Sequence, residues 1–187
     1  LDSLVSLRGE ISQLVERMLA HGASSTQITQ IITLLNDHTV CRVIELVLEE
    51  LGDPGVPFSW LCFGSEGRRE QTLHTDQDNG ILFEADSPEQ AEHMRQRLLP
   101  VARRINQRLA ECGFALCRGN IMAGNPELCL SRREWAQRFA ELAAAARDPR
   151  LQAFYAAGAV AGDTRGRRGG SGRYATPMMS DSRAVST

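Results

Sequence analysis

The chain has 187 residues, of which 42% are hydrophobic, so it can hold one ordinary domain with a packed core and some smaller pieces. Its net charge is −2 and its 21 basic residues are all arginine, which gives no general reason to expect nucleic-acid binding. No run of about 18 apolar residues is present, which argues against a membrane span, and the N-terminus lacks a signal-peptide pattern.

Two helices are predicted for residues 1–52. Apolar residues recur at steps of three and four from Leu4 to Met18, which is typical of a helix that packs on another helix. The segment 24–26 offers an N-cap for a second helix that runs to Leu51. Its predicted apolar face contains Leu34, Cys41, Ile44, Leu48 and Leu51. This hairpin is either a bundle that packs on the following core, which we favour, or a linker from an upstream module.

The segment 58–83 is predicted to form a strand, a glycine-rich turn, a short helix and a second strand. Residues 58–63 are apolar and aromatic, and Gly64 and Ser65 then provide a turn and an N-cap. Amide groups at a helix start bind phosphate oxygens, and glycine lets a ligand approach closely. Arg68, one turn further on, could add a bidentate phosphate contact.

The second strand opens with Thr75 and contains Asp76 and Asp78. Side chains two positions apart in a strand share a face, so the two carboxylates are expected to point the same way. Mg²⁺ usually takes one or two protein carboxylates together with substrate phosphates. The pair therefore predicts a site for a metal and a nucleoside triphosphate.

A long helix is predicted from Pro88 to about Cys112, with Ser87 as its cap. Its arginines are interpreted as a solvated face, with phosphate or acidic-partner binding as the less favoured alternative. Phe114 to Met122 predicts a third strand, interrupted at 118–120.

A last helix follows a capping box at Ser131 to Glu134. Trp135 is expected in the core, with base stacking as the alternative. Residues 161–187 are rich in glycine, arginine, serine and threonine, so disorder is expected beyond about residue 160. The segment 165–170 could contact RNA, but a flexible terminus is favoured.

Gly-Ser followed at a short distance by Asp-x-Asp resembles the signature of the DNA polymerase beta-like nucleotidyltransferase superfamily. The sequence looks most like the nucleotidyltransferase domain of protein-PII uridylyltransferase and of DUF294-type bacterial signalling proteins, which join it to CBS or cyclic-nucleotide-binding modules. The matching positions are Gly64, Ser65, Gly67, Arg68, Glu70, Thr75, Asp76 and Asp78. The segment 116–123 and the region of Trp135 also look like the signalling subgroup.

The resemblance implies an α/β (α+β) fold: a nucleotidyltransferase-like mixed sheet of few strands, flanked by helices and preceded by a helical hairpin. The expected organisation is a hairpin at 1–52, a nucleotidyltransferase-like core at 53–147 and a tail at 148–187. Because the chain begins with Leu1, it is expected to be a fragment of a longer polypeptide.

The same resemblance assigns roles to site residues. Asp76 and Asp78 would be the catalytic pair and would hold Mg²⁺ or Mn²⁺. The phosphates would be bound by Gly64, Ser65, Gly67 and Arg68. The supporting residues would be Glu70, Thr75 and Asn120, with Glu70 orienting Arg68 or the turn and taking no direct part.

The sequence departs from the superfamily at a third carboxylate. In most members this group lies on a neighbouring strand and helps to deprotonate the attacking hydroxyl. Residues 114–123 contain no acid, and Asn120 is the nearest polar substitute. An amide cannot act as a general base, so metal binding could survive while turnover weakens. Glu127, or a group from an absent domain, could take the missing role.

The leading hypothesis is transfer of a nucleoside monophosphate, from UTP or ATP, to an acceptor hydroxyl on a protein. The alternatives are a catalytically degenerate nucleotide-binding regulatory module and a purely structural helical adaptor. The five cysteines show no zinc-like spacing, so they are expected to be small buried residues in a reducing cytoplasm. Upstream regulatory domains are expected as partners, whereas membrane and nucleic acid are not.

Overall fold

The computed structural model describes residues 2–145. Within that range the elements in chain order are α1 (Asp2–Ala20), α2 (Ser25–Leu51), β1 (Phe58–Cys62), α3 (Gly64–Gly67), β2 (Asn79–Phe83), α4 (Pro88–Glu111), a 3₁₀ turn (Pro126–Leu128), β3 (Cys129–Ser131) and α5 (Arg132–Ala145). The predicted tail, with its expected disorder and the arginine-glycine segment, lies outside the described residues.

A mixed three-stranded sheet in the order β1-β2-β3 forms the centre of the fold. β1 and β2 are antiparallel, with Trp60 opposite Ile81, and β2 and β3 are parallel, with Ile81 beside Cys129. Helices flank this sheet and a helical hairpin precedes it, which confirms the predicted fold class.

The third strand is not where the sequence predicted it. In the segment 114–122 only Ala115 forms a β-bridge, a single parallel one to Asp76, while the Ile121 carbonyl accepts a lone hydrogen bond from the Asn79 amide; β3 instead follows the 3₁₀ turn. Residues 118 and 119 form a turn, and Asn120 has a φ of 54°, a left-handed conformation that ends an extended segment. The turn therefore stops a ladder from forming beyond Ala115.

Helix α2 belongs to two apolar clusters. Its first half packs against α1 through Ile28 and Ile32, and its second half packs against the sheet and α4 through Val43 and Val47. The hairpin thus shares the core with the sheet, although the predicted domain boundary at residue 52 stays a prediction. The predicted apolar face of α2 was wrong at Leu34 and Leu51, which are exposed, because the helix packs on different neighbours along its length.

The helix starts follow the sequence signals closely. Ser24 and Gln27 form a capping box at α2, Ser87 caps α4 with a proline at its first position, and Ser131 and Glu134 cap α5 reciprocally. Each cap accepts hydrogen bonds from amide groups of the first turn, which have no carbonyl partner within the helix. None of the helices described in residues 2–145 has the length and apolar character needed to cross a bilayer.

Three arginines of α4 bind carboxylates of neighbouring helices. Arg104 and Arg108 both contact Glu50 of α2, at 2.6 and 3.0 Å, and Arg95 contacts Glu134 of α5. Arg95 also donates to the carbonyl of Cys129 at 2.8 Å. These pairs hold α4 against the elements on either side, so the three arginines have structural partners within the chain.

Candidate active site

The turn after β1 lies directly against Asp78. The Phe63 amide donates to the Asp78 carbonyl at 2.8 Å, and Gly64 follows with a φ of 56°, a conformation that favours glycine. A Cβ at Gly64 would lie 2.6 Å from Oδ2 of Asp78. Gly64 is therefore required both by its backbone conformation and by the carboxylate beside it.

Helix α3 begins two residues earlier than the sequence predicted. Phe63, not Ser65, occupies the N-cap position, and no side chain caps the helix. The Gly67 amide donates to the Phe63 carbonyl at 3.0 Å, so it belongs to the helix itself. Because α3 has four residues, its dipole is small, and phosphate binding here would depend on individual first-turn amides such as those of Gly64 and Ser65.

Residues 76–79 alternate between two environments. Asp76 is exposed and Asp78 half-buried, whereas Gln77 and Asn79 are almost completely buried. This alternation is the period of an extended strand, although β2 itself begins only at Asn79. The two carboxylates lie on one side of the segment, as predicted.

A third side chain joins the two carboxylates. One ligand atom each from Asp76, Asp78 and Cys117 lies within 4.8 Å of the others. The backbone explains this grouping, because Asp76 pairs with Ala115 in parallel and two further steps along each segment lead to Asp78 and Cys117. The third side chain at the pair is thus Cys117, where the sequence analysis had named Asn120.

A buried amide network holds the other side of the segment. Asn106 of α4 donates from Nδ2 to Gln77 Oε1 and to Asn79 Oδ1, at 2.9 Å each. Gln77 donates in turn to the carbonyls of Asn106 and Phe114, and Asn79 accepts from the Ala123 amide. Because these amides are satisfied only in this register, the network fixes which way Asp76 and Asp78 face.

The electrostatics of the pair favour a bound cation. Burial is the main reason that the pKa of Asp78 is raised. A hydrogen bond with Cys117 lowers this pKa, and the charge of Asp76 raises it further. Burial likewise raises the pKa of the Cys117 thiol. A positive ion between the two acids would relieve the repulsion that now favours a proton.

The remaining predicted residues build the frame around this cluster. Arg68 donates from Nε to Glu70 Oε2 at 2.9 Å on the surface, so its guanidinium binds a carboxylate of the chain. Thr75 is buried and accepts from the Ala115 amide through its carbonyl, at 3.3 Å. Asn120 is exposed, in the turn that follows Cys117.

Sequence reasoning missed Glu66, which is buried inside α3. The Cys62 thiol donates to its Oε1 at 3.1 Å. Burial raises the pKa of Glu66 to about 7, and the charges of Asp37 and Asp78 add to the effect. Asp37 on α2 is half-buried, and burial raises its pKa to about 6. A glutamate between two glycines carries no pattern that indicates burial.

Two other residues were missed, and only the second of them carries a signal in the sequence itself. Cys117 lies two positions beyond Ala115, as Asp78 lies two beyond Asp76, so its role follows once the two segments are known to pair. Asn106 is a polar residue beside Ile105 on the buried face of α4, and such a residue needs a buried partner.

Comparison with known families decides the relationship. The model of the family described as "Putative nucleotidyltransferase DUF294" matches residues 9–149, most of the chain. The chain belongs to the DUF294 family. No curated protein and no solved structure matches it. Membership confirms the nucleotidyltransferase-like resemblance and supports nucleotidyl transfer in general, whereas the special likeness to protein-PII uridylyltransferase remains a proposal.

DUF294 membership implies a nucleoside triphosphate substrate and, as for nucleotidyltransferases generally, a divalent metal. The donor set fits such an ion: two carboxylates and a thiol converge, and two of the three side chains are half-buried. Carboxylate oxygens suit Mg²⁺ and Mn²⁺, while sulfur suits softer ions. The cluster of Asp76, Asp78 and Cys117 is called the acidic-thiol cluster below.

Proposed function

We propose that this DUF294 chain transfers a nucleoside monophosphate from a nucleoside triphosphate to an acceptor hydroxyl. The observation that carries the proposal is the contact between the Gly64 turn and Asp78, which itself lies beside Asp76. The turn and the acid pair therefore meet at one place, where Asp76 is exposed, and this supports a site for a metal-bound polyphosphate.

Each residue has a distinct role in this proposal. Asp76 and Asp78 would hold one or two Mg²⁺ or Mn²⁺ ions, which when bound would neutralise the phosphate charge and align the reacting oxygens. Gly64 keeps side-chain atoms away from Asp78, and Ser65 would present its amide to the terminal phosphates. The acceptor hydroxyl would lose its proton to solvent as its oxygen attacks the α-phosphorus, the bond between that phosphorus and the oxygen that bridges to the β-phosphate would break, and pyrophosphate would leave.

The phosphate-binding roles of Gly67 and Arg68 become indirect. The Gly67 amide is used within α3 and the Arg68 guanidinium pairs with Glu70, so both support the turn in this structure. Arg68 binds Glu70 through Nε, and it could turn its guanidinium to a phosphate by releasing Glu70. Because the pair is exposed, that release would cost little, about 1 kcal/mol or less.

The finer identity of the reaction is also proposed. UTP or ATP would be the donor and a protein hydroxyl the acceptor, as in protein-PII uridylyltransferase. The domain would serve bacterial signalling in the cytoplasm, with CBS or cyclic-nucleotide-binding modules upstream. These proposals rest on the motif from Gly64 to Asp78 together with the family match.

A second candidate is a regulatory module that binds the nucleotide without turning it over. The specific observation in its favour is Cys117, which stands where a third carboxylate would be expected. Glu127, the other acid considered for that role, is exposed in the 3₁₀ turn and is not among the clustered donors. The cluster thus lacks a third acid to take the proton of the acceptor hydroxyl.

Turnover separates the two candidates. The 187-residue chain would be incubated with UTP, ATP, CTP and GTP, with Mg²⁺ or Mn²⁺ and with a PII protein as the acceptor, while pyrophosphate release is measured. Transfer predicts release that disappears in Asp78→Asn and persists in Asp86→Asn, a matched change at an exposed aspartate outside the cluster. Metal-dependent binding without release would support the regulatory module. Absence of any triphosphate binding would refute both.

A further inference from the structure

Cys117 is placed to complete the acidic-thiol cluster. The parallel bridge between Asp76 and Ala115 runs the two segments side by side, so that Cys117 reaches Asp78. Its thiol interacts with the Asp78 carboxylate, and its ligand atom lies within 4.8 Å of both acids. Cys117 is half-buried, unlike Cys62, Cys112 and Cys129, which are packed in the interior.

We propose that Cys117 is the third protein ligand of the divalent metal, and that it makes the site prefer a thiophilic ion such as Zn²⁺ or Co²⁺ over Mg²⁺. This inference rests on the metal site of the proposed function and adds the identity of one ligand and the class of ion. On binding, the metal would replace the thiol proton, which passes to solvent.

The geometry suits a single ion. Metal–sulfur and metal–oxygen bonds of about 2.3 and 2.1 Å at a tetrahedral angle hold sulfur and oxygen about 3.6 Å apart. The clustered atoms lie within 4.8 Å of one another, so side-chain adjustments of about an ångström would bring them to bonding distance. Exposed Asp76 can make such an adjustment without disturbing the buried amide network.

The chemistry of sulfur accounts for the proposed preference. Thiolate is a soft ligand that selects zinc and similar ions, whereas Mg²⁺ requires oxygen ligands and keeps its waters. A cluster with two carboxylates and a thiolate is therefore a poorer magnesium site than one with three carboxylates. Zn²⁺ or Co²⁺ would gain a strong bond at the same position and would still leave a fourth coordination position for a phosphate oxygen.

Cobalt provides a direct probe of the sulfur ligand. The full chain, kept reduced with a phosphine, would be titrated with Co²⁺ while its near-ultraviolet absorption is recorded. We expect a thiolate-to-cobalt charge-transfer band that saturates at one equivalent and is lost in Cys117→Ser. The control is Cys41→Ser, another half-buried cysteine on α2 outside the cluster, which should keep the band.

Affinity measurements test the preference for ions. In Cys117→Ser the affinity for Zn²⁺ is expected to fall at least about tenfold, a loss seen even for outer-sphere partners, while that for Mg²⁺ changes little. In Cys117→Asp the preference for Zn²⁺ over Mg²⁺ is expected to reverse, since a third carboxylate favours Mg²⁺. Circular dichroism would check that each variant is folded.

The outcomes separate this inference from the proposed function. If Co²⁺ binds with no charge-transfer band, and Cys117→Ser leaves both affinities unchanged, then Cys117 is only a hydrogen-bond partner of Asp78 and the inference is refuted while the metal site stands. If no metal binds to the wild-type chain even with a triphosphate present, the proposed metal site fails together with the inference.

Discussion

Replacing the buried Glu66 by glutamine is expected to reduce the dependence of stability on pH. Glu66 accepts a hydrogen bond from Cys62, and a glutamine oxygen can accept the same bond. The substitution keeps the shape of the side chain but removes its ionisation. What changes is the free energy of placing a carboxylate in the interior of the protein.

The size of the effect follows from the raised pKa. An ordinary glutamate pKa is 4.5, and burial raises that of Glu66 to about 7. Below the pKa that Glu66 has in the unfolded chain, both states hold the proton, so Glu66 does not change the stability with pH. Between that pKa and the higher pKa of the folded chain, the unfolded chain has lost the proton while the folded chain still holds it. Stability therefore falls, by about 3 kcal/mol in full.

The assay is urea unfolding at about pH 5 and about pH 8, followed by tryptophan fluorescence. Trp60 and Trp135 are both buried, so unfolding changes the environment of each. Because a small part of the loss has already occurred at pH 5, the wild-type chain is expected to lose about 2.5 kcal/mol more stability over this interval than Glu66→Gln does. The control is Glu141→Gln on the exposed face of α5, which should keep the wild-type dependence.

Asp37 adds a residual dependence of the same sign. Its pKa is also raised by burial, to about 6, and its charge raises the pKa of Glu66. Some loss of stability with pH will therefore remain in Glu66→Gln, because Asp37 still ionises there. Identical losses in the wild type and in Glu66→Gln would refute the burial of a titrating carboxyl at this position.

Three further substitutions test the frame of the site. Gly64→Ala is expected to destabilise the fold by about 1–2 kcal/mol through its left-handed backbone, and to weaken metal binding by displacing Asp78. Asn106→Ala leaves buried amides without partners and is expected to cost roughly 2–5 kcal/mol in chemical unfolding. Trp135→Phe loses a 2.8 Å hydrogen bond to the Ile81 carbonyl, so a thermal melt is expected to show about 1–2 kcal/mol of lost stability.

For each of these three predictions, one outcome would contradict the expected effect. For glycine the control is Gly22→Ala, where the backbone is also left-handed but a Cβ would meet no atom within 4 Å, and equal effects on metal binding at the two glycines would count against the contact with Asp78. If Asn106→Ala left the stability unchanged, water would replace the amide network at no cost in stability. If Trp135→Phe left the stability unchanged, the hydrogen bond of the indole N–H would contribute nothing beyond the packing of the ring.

The helices were predictable from the sequence because their signals are local. Ser87 followed by Pro88, and Ser131 followed by Glu134, fix where helices begin through contacts within one turn. The core position of Trp135 was predicted for the same reason, since its apolar neighbours fall at helical spacing, and its indole nitrogen indeed bonds to the backbone of β2.

The third strand and the third side chain of the cluster were not predictable, because both depend on pairing between distant segments. The extended stretch after Phe114 looked like a strand, yet only Ala115 finds a partner before the turn at 118–120. That one bridge also decides that Cys117, and not Asn120, reaches the acids. Sequence distance alone does not fix the register of two segments.

The burial of Glu66 was missed for a different reason. The motif was interpreted by how its residues would meet a ligand, whereas Glu66 turns into the protein, towards Cys62. Its burial does not follow from the spacing of glycines and acids. The interpretation of Glu70 as a residue that orients Arg68 or the turn agrees with the hydrogen bond that Arg68 donates to it.

A crystal structure with a non-hydrolysable triphosphate and Mn²⁺ tests the central claim most directly, because anomalous scattering locates the ion without reference to any assumed ligand. The account predicts a Mn²⁺ peak between the carboxylates of Asp76 and Asp78, with the phosphates against the turn at Gly64. A triphosphate bound elsewhere on the chain, or a metal peak remote from these two acids, would contradict it.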